Sequence, residues 1–319
     1  MGVDGVSSVR TDGAGSVGVD RPGQVPREDA DVRGWTEALG LPGLVDVHVH
    51  FLPDRMERRV WHHFDNGGPL VGPGWDIRYR LPREERVERL REIGVRHFTA
   101  LAYAHKPGMA QSLNDWTLDF ARVTPECAPS ATFFPEPGVL DYVRSALDAG
   151  ARVFKVHLQV GAFDPRDPEI DAVWGLLAEA GVAVVVHASS MPVPGRCTGP
   201  EPIAGVLKAH PRLAVVVAHL GMPEYDEFLD LAVRYPNVSL DTTMAFTDFA
   251  DAVAPFPARH KPLLRDLGLA GKVVLGSDFP TIPYPYAHQL HGLARLDLGA
   301  DWLRAVCWHN GARVLGKRP

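Results

Sequence analysis

From residue 44 onward the chain alternates short, nearly apolar runs with longer stretches of helical period. The runs cover residues 44–50, 97–101, 130–134, 153–158, 182–187, 213–219, 238–241 and 273–277, and each predicts a strand. Helical stretches follow them. Residues 83–93 end at Gly94 and residues 112–123 begin at Ser112 as N-cap; residues 139–149 end at Gly150 and residues 168–180 at Gly181. Further helices are predicted over 202–209 and 224–234, within 260–267, and near 286–294 and 301–315. The runs at 182–186 and 213–217 contain only Val, Ala and Leu, as suits a parallel sheet covered on both faces. Eight strand–helix units in about 275 residues predict a closed (β/α)8 TIM barrel. An open doubly wound sheet is the alternative. No Gly-x-Gly-x-x-Gly follows the first strand to support it.

Two regions fall outside this rhythm. Residues 1–34 are rich in Gly, Ser, Val and Asp without lasting period and read as a disordered N-terminal tail, with a weak helix around 34–40. The barrel domain is then 35–319. Residues 51–82, after the first strand, read as a long irregular insert carrying Trp61, His62, His63, Trp75, Arg78 and Tyr79. A loop of that length inside a compact domain is usually functional, often a lid.

Composition narrows the function classes. A formal net charge of −6 on 319 residues gives no sign of a nucleic-acid or anionic-membrane partner. Cys127, Cys197 and Cys307 lie far apart and form no Cys-x-x-Cys, so they read as reduced thiols. No apolar run approaches the roughly 20 residues of a membrane span, and no basic-then-apolar signal pattern opens the chain. A cytoplasmic protein acting on a small molecule is expected. Histidine is the outlier, at 14 residues.

Those histidines collect at strand ends. In residues 44–50 the period of two puts Asp46, His48 and His50 on one face and three valines on the other. Lys155 and His157 share a face of the fourth strand; His187 ends the fifth, His219 the sixth and Asp278 the eighth. Each alone has a bland reading. A strand-end histidine is more often hydrogen-bonded than ligating, Lys155 can be an ion-pair partner, and Asp278 can cap a turn. Together they are the imidazole and carboxylate ligands of a Zn-like site, gathered where barrels place their active sites. Further out, Arg196, His105 and Trp61 are candidate substrate contacts. The bland readings are a solvated loop arginine, a structural histidine and an aromatic anchor for the insert. Asp46 is either a hydrogen-bond acceptor for a ligand or a partner of Arg or Lys. Asp241 and Thr242 end the seventh strand and are candidate pocket-lining residues. His260, His288, His291 and His309 sit on predicted helices and carry no assignment.

The runs Asp46-Val-His48-Val-His50-Phe51, Phe154-Lys155-Val-His157, Val186-His187-Ala188, Ala218-His219-Leu220-Gly221, Leu275-Gly-Ser-Asp278-Phe-Pro280 and the closing Asn310-Gly-Ala-Arg-Val-Leu-Gly316 resemble the amidohydrolase superfamily. The resemblance is to the amidohydrolase-related branch that includes aminocarboxymuconate-semialdehyde decarboxylase-like enzymes. It covers about residues 42–316 and implies that His48, His50 and His187 hold a metal, with Asp278 as fourth ligand or as base. Asp278 would take a proton from water and pass it to the leaving group. His219 resembles the histidine that orients or deprotonates that water, and in binuclear relatives the one that binds a second ion. Lys155, with His157 beside it, resembles either the carboxylated lysine that bridges two metals or a cation for a substrate carboxylate or oxyanion. One ion is expected rather than two, Zn before Mn or Fe, in a homodimer.

Three functions follow. A metal-dependent hydrolase of a lactone, ester or amide is the leading one. A metal-dependent non-oxidative decarboxylase of an aromatic or unsaturated acid uses the same groups. A non-enzymatic barrel would leave many buried polar groups without a purpose that offsets their cost.

Overall fold

β-branched residues favour extended backbone because their side chains pack well on a pleated surface, and all but one of the strands here contain Val or Thr. The computed structural model describes Met1, residues 24–66 and residues 75–317. Its strands are β1 (Leu44–Asp46), β2 (Val95–Thr99), β3 (Cys127–Ala128), β4 (Ser130–Thr132), β5 (Val153–His157), β6 (Ala183–His187), β7 (Val215–Val217), β8 (Val238–Asp241) and β9 (Val273–Val274). Pairing is parallel throughout, β1-β2-β3 and then β4 through β9 in order. Pro129 separates β3 from β4, which together occupy one strand position; proline has no N–H to give a ladder. The ring closes where the Val47 N–H donates to Leu275 O at 2.9 Å and Val49 bridges Phe279 in parallel. This is the (β/α)8 barrel that the alternation predicts, and the open sheet is excluded.

Every residue of β5 and β6 is buried. Each buried valine contributes about 1.5–3 kcal/mol relative to exposure, so these two strands are rigid mounts for what stands at their ends. Their register places His157 opposite His187. Helix Arg83–Ile93 ends where expected, with Gly94 at φ 101°, a left-handed C-cap that glycine adopts without a Cβ penalty.

Several expectations need correction. Residues 2–23 of the expected tail lie outside the described residues, but 24–34 include the 3-10 turn Asp29–Asp31 and the start of helix Val32–Ala38. Val32 and Trp35 of that helix are buried, a short apolar face that the surrounding Gly- and Asp-rich sequence disguises. The insert is not irregular throughout. It contains helix Asp54–Asp65, a stretch free of Gly and Pro that starts after Pro53. Residues 67–74 of the insert lie outside the described residues. Helix Ala110–Val123 starts before Ser112, whose hydroxyl donates to Met109 O instead of capping. No helix among the described residues is long and apolar enough to cross a membrane.

Candidate active site

Regular pairing in β1 stops at Asp46, and the chain turns so that Asp46 Oδ1 accepts the His48 N–H at 3.1 Å. The next four residues run along the mouth of the barrel. His48 is 1% exposed and its Nδ1 lies 2.9 Å from Asp241 Oδ2. A carboxylate only accepts, so Nδ1 carries the hydrogen and Nε2 is a bare lone pair. In His50, Nδ1 donates to Leu101 O at 2.7 Å, so the neutral ring has its lone pair on Nε2, and a second proton there would go to Asp278 Oδ1, 2.9 Å away. In His187 the roles reverse. Its Nε2 donates to Met191 O at 2.9 Å, and Nδ1 is the free lone pair.

The bare Nε2 atoms of His48 and His50 face one oxygen, Asp278 Oδ1, at 3.5 and 2.9 Å. Three electron-rich atoms around one point repel unless the Lys155 ammonium at His48 Nε2, a proton on His50 or a shared cation offsets them. Ligand atoms of His48, His219 and Asp278 all lie within 4.8 Å of one another, the one such group among the described residues. Imidazole nitrogens and a carboxylate oxygen are the donors that a Zn-like ion takes. The residues present therefore fit a divalent cation.

The backbone is bent to achieve this. His219 and Leu220 have φ of 55° and 56°, and Asp278 has φ of 69°. Left-handed backbone at non-glycine residues costs on the order of 1–3 kcal/mol each and persists where surroundings over-determine it. Here they do. The His219 N–H donates to Asp241 Oδ1 at 2.9 Å, and the Asp278 N–H donates to His48 O at 2.9 Å.

Asp241 is the centre of these ties. It is fully buried, and its two oxygens accept from His48 Nδ1, the His219 N–H and, at 3.1 Å, the Thr243 N–H. Burial alone would raise its pKa, but His48, His219 and Lys155 outweigh that and hold the carboxyl well below its ordinary range. Asp278 behaves alike: burial opposes ionisation, while the His50 hydrogen bond and the facing imidazoles of His48 and His219 more than offset it. Burial, then Lys155, pushes His48 down to about 4 against the pull of Asp241. Burial also lowers His157, His187 and His219, so all four imidazoles favour the neutral, ligand-competent form. Asp46, pushed up by burial to about 7, has neither Arg nor Lys as partner; its Oδ2 accepts from Tyr286 Oη at 2.8 Å.

Lys155 is fully buried and its Nζ stands 3.2 Å from His48 Nε2. Burial brings its pKa down to about 8, against the pull of Asp241 and Asp278. His48 Nε2 would hold a cation with the lone pair that Lys155 faces, and the lowered pKa makes loss of the lysine proton cheaper. His157 stacks on His187, ring centroids 3.9 Å apart and planes 10° apart, with Tyr103 tilted against it at 5.0 Å.

Gly276 forms the floor. A Cβ there would collide with Thr243 Oγ1 and come within 2.9 Å of His48 Cβ and 3.3 Å of Asp241 Cγ. Gly276→Ala is expected to cost about 1–3 kcal/mol by overpacking. It should also lower turnover about 10²-fold by displacing His48. Urea unfolding and steady-state kinetics measure the two, and wild-type values in both would contradict the close approach.

The structure thus brings His48, His50, Lys155, His157, His187, His219 and Asp278 to one mouth. His219 stands in the tightest group and His187 beside it, ring centroids 4.8 Å apart, whereas the sequence suggests the opposite order. Arg196 and His105 are exposed on loops and make no hydrogen bond to this group. Trp61 packs under the guanidinium groups of Arg80 and Arg86, at 5.7 and 5.6 Å, and so anchors the insert helix. Neither the contact of Tyr103 with His157 nor the buried role of Asp241 has a signal in the sequence.

A family model described as amidohydrolase matches residues 45–317. Among solved structures, an uncharacterized TIM-barrel protein from Bordetella bronchiseptica is 18% identical with a TM-score of 0.70, over 86% of this chain and 98% of that one. An amidohydrolase from Burkholderia multivorans with bound Zn is 17% identical with a TM-score of 0.62, over 86% of this chain and 100% of that one. A probable 2-pyrone-4,6-dicarboxylic acid hydrolase from Acinetobacter baumannii, with citric acid bound, is 13% identical with a TM-score of 0.59, over 86% and 99%. No curated protein matches.

Proposed function

The chain belongs to the amidohydrolase family, and from that premise we propose that it is a metal-dependent hydrolase of a C–O or C–N bond in a small lactone, ester or amide. The observation that carries this reading is the convergence of His48, His219 and Asp278 within 4.8 Å, with the Nε2 lone pair of His48 facing Asp278. Zn suits the donor set, and the Zn in the Burkholderia relative supports it. A single such group among the described residues supports one ion.

A divalent cation at this place supplies Lewis acidity to a carbonyl oxygen and makes water more acidic. The chain's own residues do the rest. Asp278 is ionised and partly open to the mouth, so its carboxylate accepts a proton from water and returns it to the leaving oxygen or nitrogen. His48 is kept from turning by Asp241, and His50 by the Leu101 carbonyl. Lys155 stands close enough to the group to favour negative charge developing on the substrate.

The test is a substrate panel read by mass spectrometry on protein purified without chelator and assayed for metal. Dihydrocoumarin, a 4-nitrophenyl ester, an anilide and a set of aromatic carboxylates serve as probes. A product heavier by one water is expected from at least one lactone, ester or amide. Loss of carbon dioxide from the carboxylates would instead establish the decarboxylase, and an unchanged panel would sink the hydrolase.

A further inference from the structure

We propose that His157 contacts the substrate, presenting Nε2–H in a single fixed tautomer to the oxygen that gains charge during bond cleavage; this rests on the hydrolase reading above. His157 ends β5 and is the N-cap of the turn Leu158–Gly161, where its Nδ1 accepts the Val160 N–H at 3.3 Å. An acceptor nitrogen carries no hydrogen, so the ring's one hydrogen is on Nε2. That atom makes no hydrogen bond among the described residues, and the residue is 9% exposed. Stacking on His187 and contact with Tyr103 hold the ring plane. His48, His50 and His187 each spend their hydrogen on a carboxylate or carbonyl of the protein. His157 spends its hydrogen on nothing among the described residues. A rigid, neutral donor beside an ionised base is what an oxyanion needs, because it pays no reorganisation when charge appears.

Two substitutions separate this role from capping. In His157→Asn the side-chain oxygen can still accept the Val160 N–H, but no donor reaches the Nε2 position. In His157→Gln the amide N–H reaches that position and the cap is lost. On the best substrate of the panel, His157→Asn is expected to lose about 10²–10³-fold in kcat with metal content unchanged, and His157→Gln to stay within about tenfold of wild type. The reverse order overturns the proposal and leaves a structural cap. Nitrogen NMR of histidine-labelled protein should show the resonance lost in His157→Asn as protonated at Nε2; protonation at Nδ1 also overturns it. If the wild type hydrolyses nothing, the functional reading falls by itself. Calorimetry with methylphosphonate, an uncleavable oxyanion, then decides the donor. Affinity at least about tenfold weaker for His157→Asn than for His157→Gln supports it, and equal affinities refute it.

Discussion

Asp278→Asn is expected to lower kcat/KM by about 10³-fold or more while the protein stays folded. The substitution keeps the shape of the side chain and removes its charge. It also tolerates the left-handed backbone at φ 69°, which asparagine adopts far more readily than alanine. The folded frame should therefore survive, and the melting temperature should move by only a few degrees. What goes is the acceptor. The carboxylate is held ionised by the His50 hydrogen bond and by His48 and His219, and general-base removal costs typically 10²–10⁴-fold. An amide in its place either turns its oxygen inward without charge or aims N–H groups at His48 Nε2 and His50 Nε2, which then accept them. Metal analysis of the same sample separates the two roles that the sequence leaves open. Metal retained with turnover lost makes Asp278 the base. Metal lost with turnover makes it a ligand. Turnover within tenfold of wild type removes it from the chemistry.

The strand ends were legible because a barrel gathers them at one face whatever lies between. Reading β1, β5, β6 and the start of the loop after β9 for polar termini was enough to find His48, His157, His187 and Asp278. Which of these touch was not legible. His219 comes into the tight group because the chain turns left-handed at His219 and Leu220. Nothing in Ala-His-Leu-Gly announces that, since bulky residues seldom adopt such angles. Asp241 was visible as the last residue of a strand, placed to line the pocket, but not as the tie between His48 and His219. Its partner His48 is 193 residues away in the chain, and only the closure of the barrel brings them together. The insert helix escaped notice for a compositional reason: flanking Gly and Pro dominate the stretch, while residues 54–65 contain neither.

Asp241 carries the second large expectation, and it tests the tautomer argument on which the whole site depends. In Asp241→Asn one side-chain atom can accept and the other must donate. Three N–H groups now end on this carboxylate, from His48, His219 and Thr243. If the amide nitrogen meets His48, the imidazole must turn Nδ1 into an acceptor and move its hydrogen to Nε2. The lone pair that faces Asp278 then disappears, the same loss of the working tautomer that follows when the orienting aspartate of a catalytic triad becomes asparagine. Metal affinity is expected to fall about 10–100-fold, as for other residues that orient a ligating histidine, and turnover should fall with it. Competition against a graded chelator measures the first and steady-state kinetics the second. Asp241→Ala goes further. It leaves buried donors without an acceptor and removes the charge that Lys155 and the histidines face, which costs about 3–5 kcal/mol of stability by urea unfolding. Asparagine should retain most of that stability and lose the metal; alanine should lose both. Equal metal affinity in wild type and Asp241→Asn would mean that His48 does not present Nε2 to a cation, and the lone-pair geometry would then need another occupant.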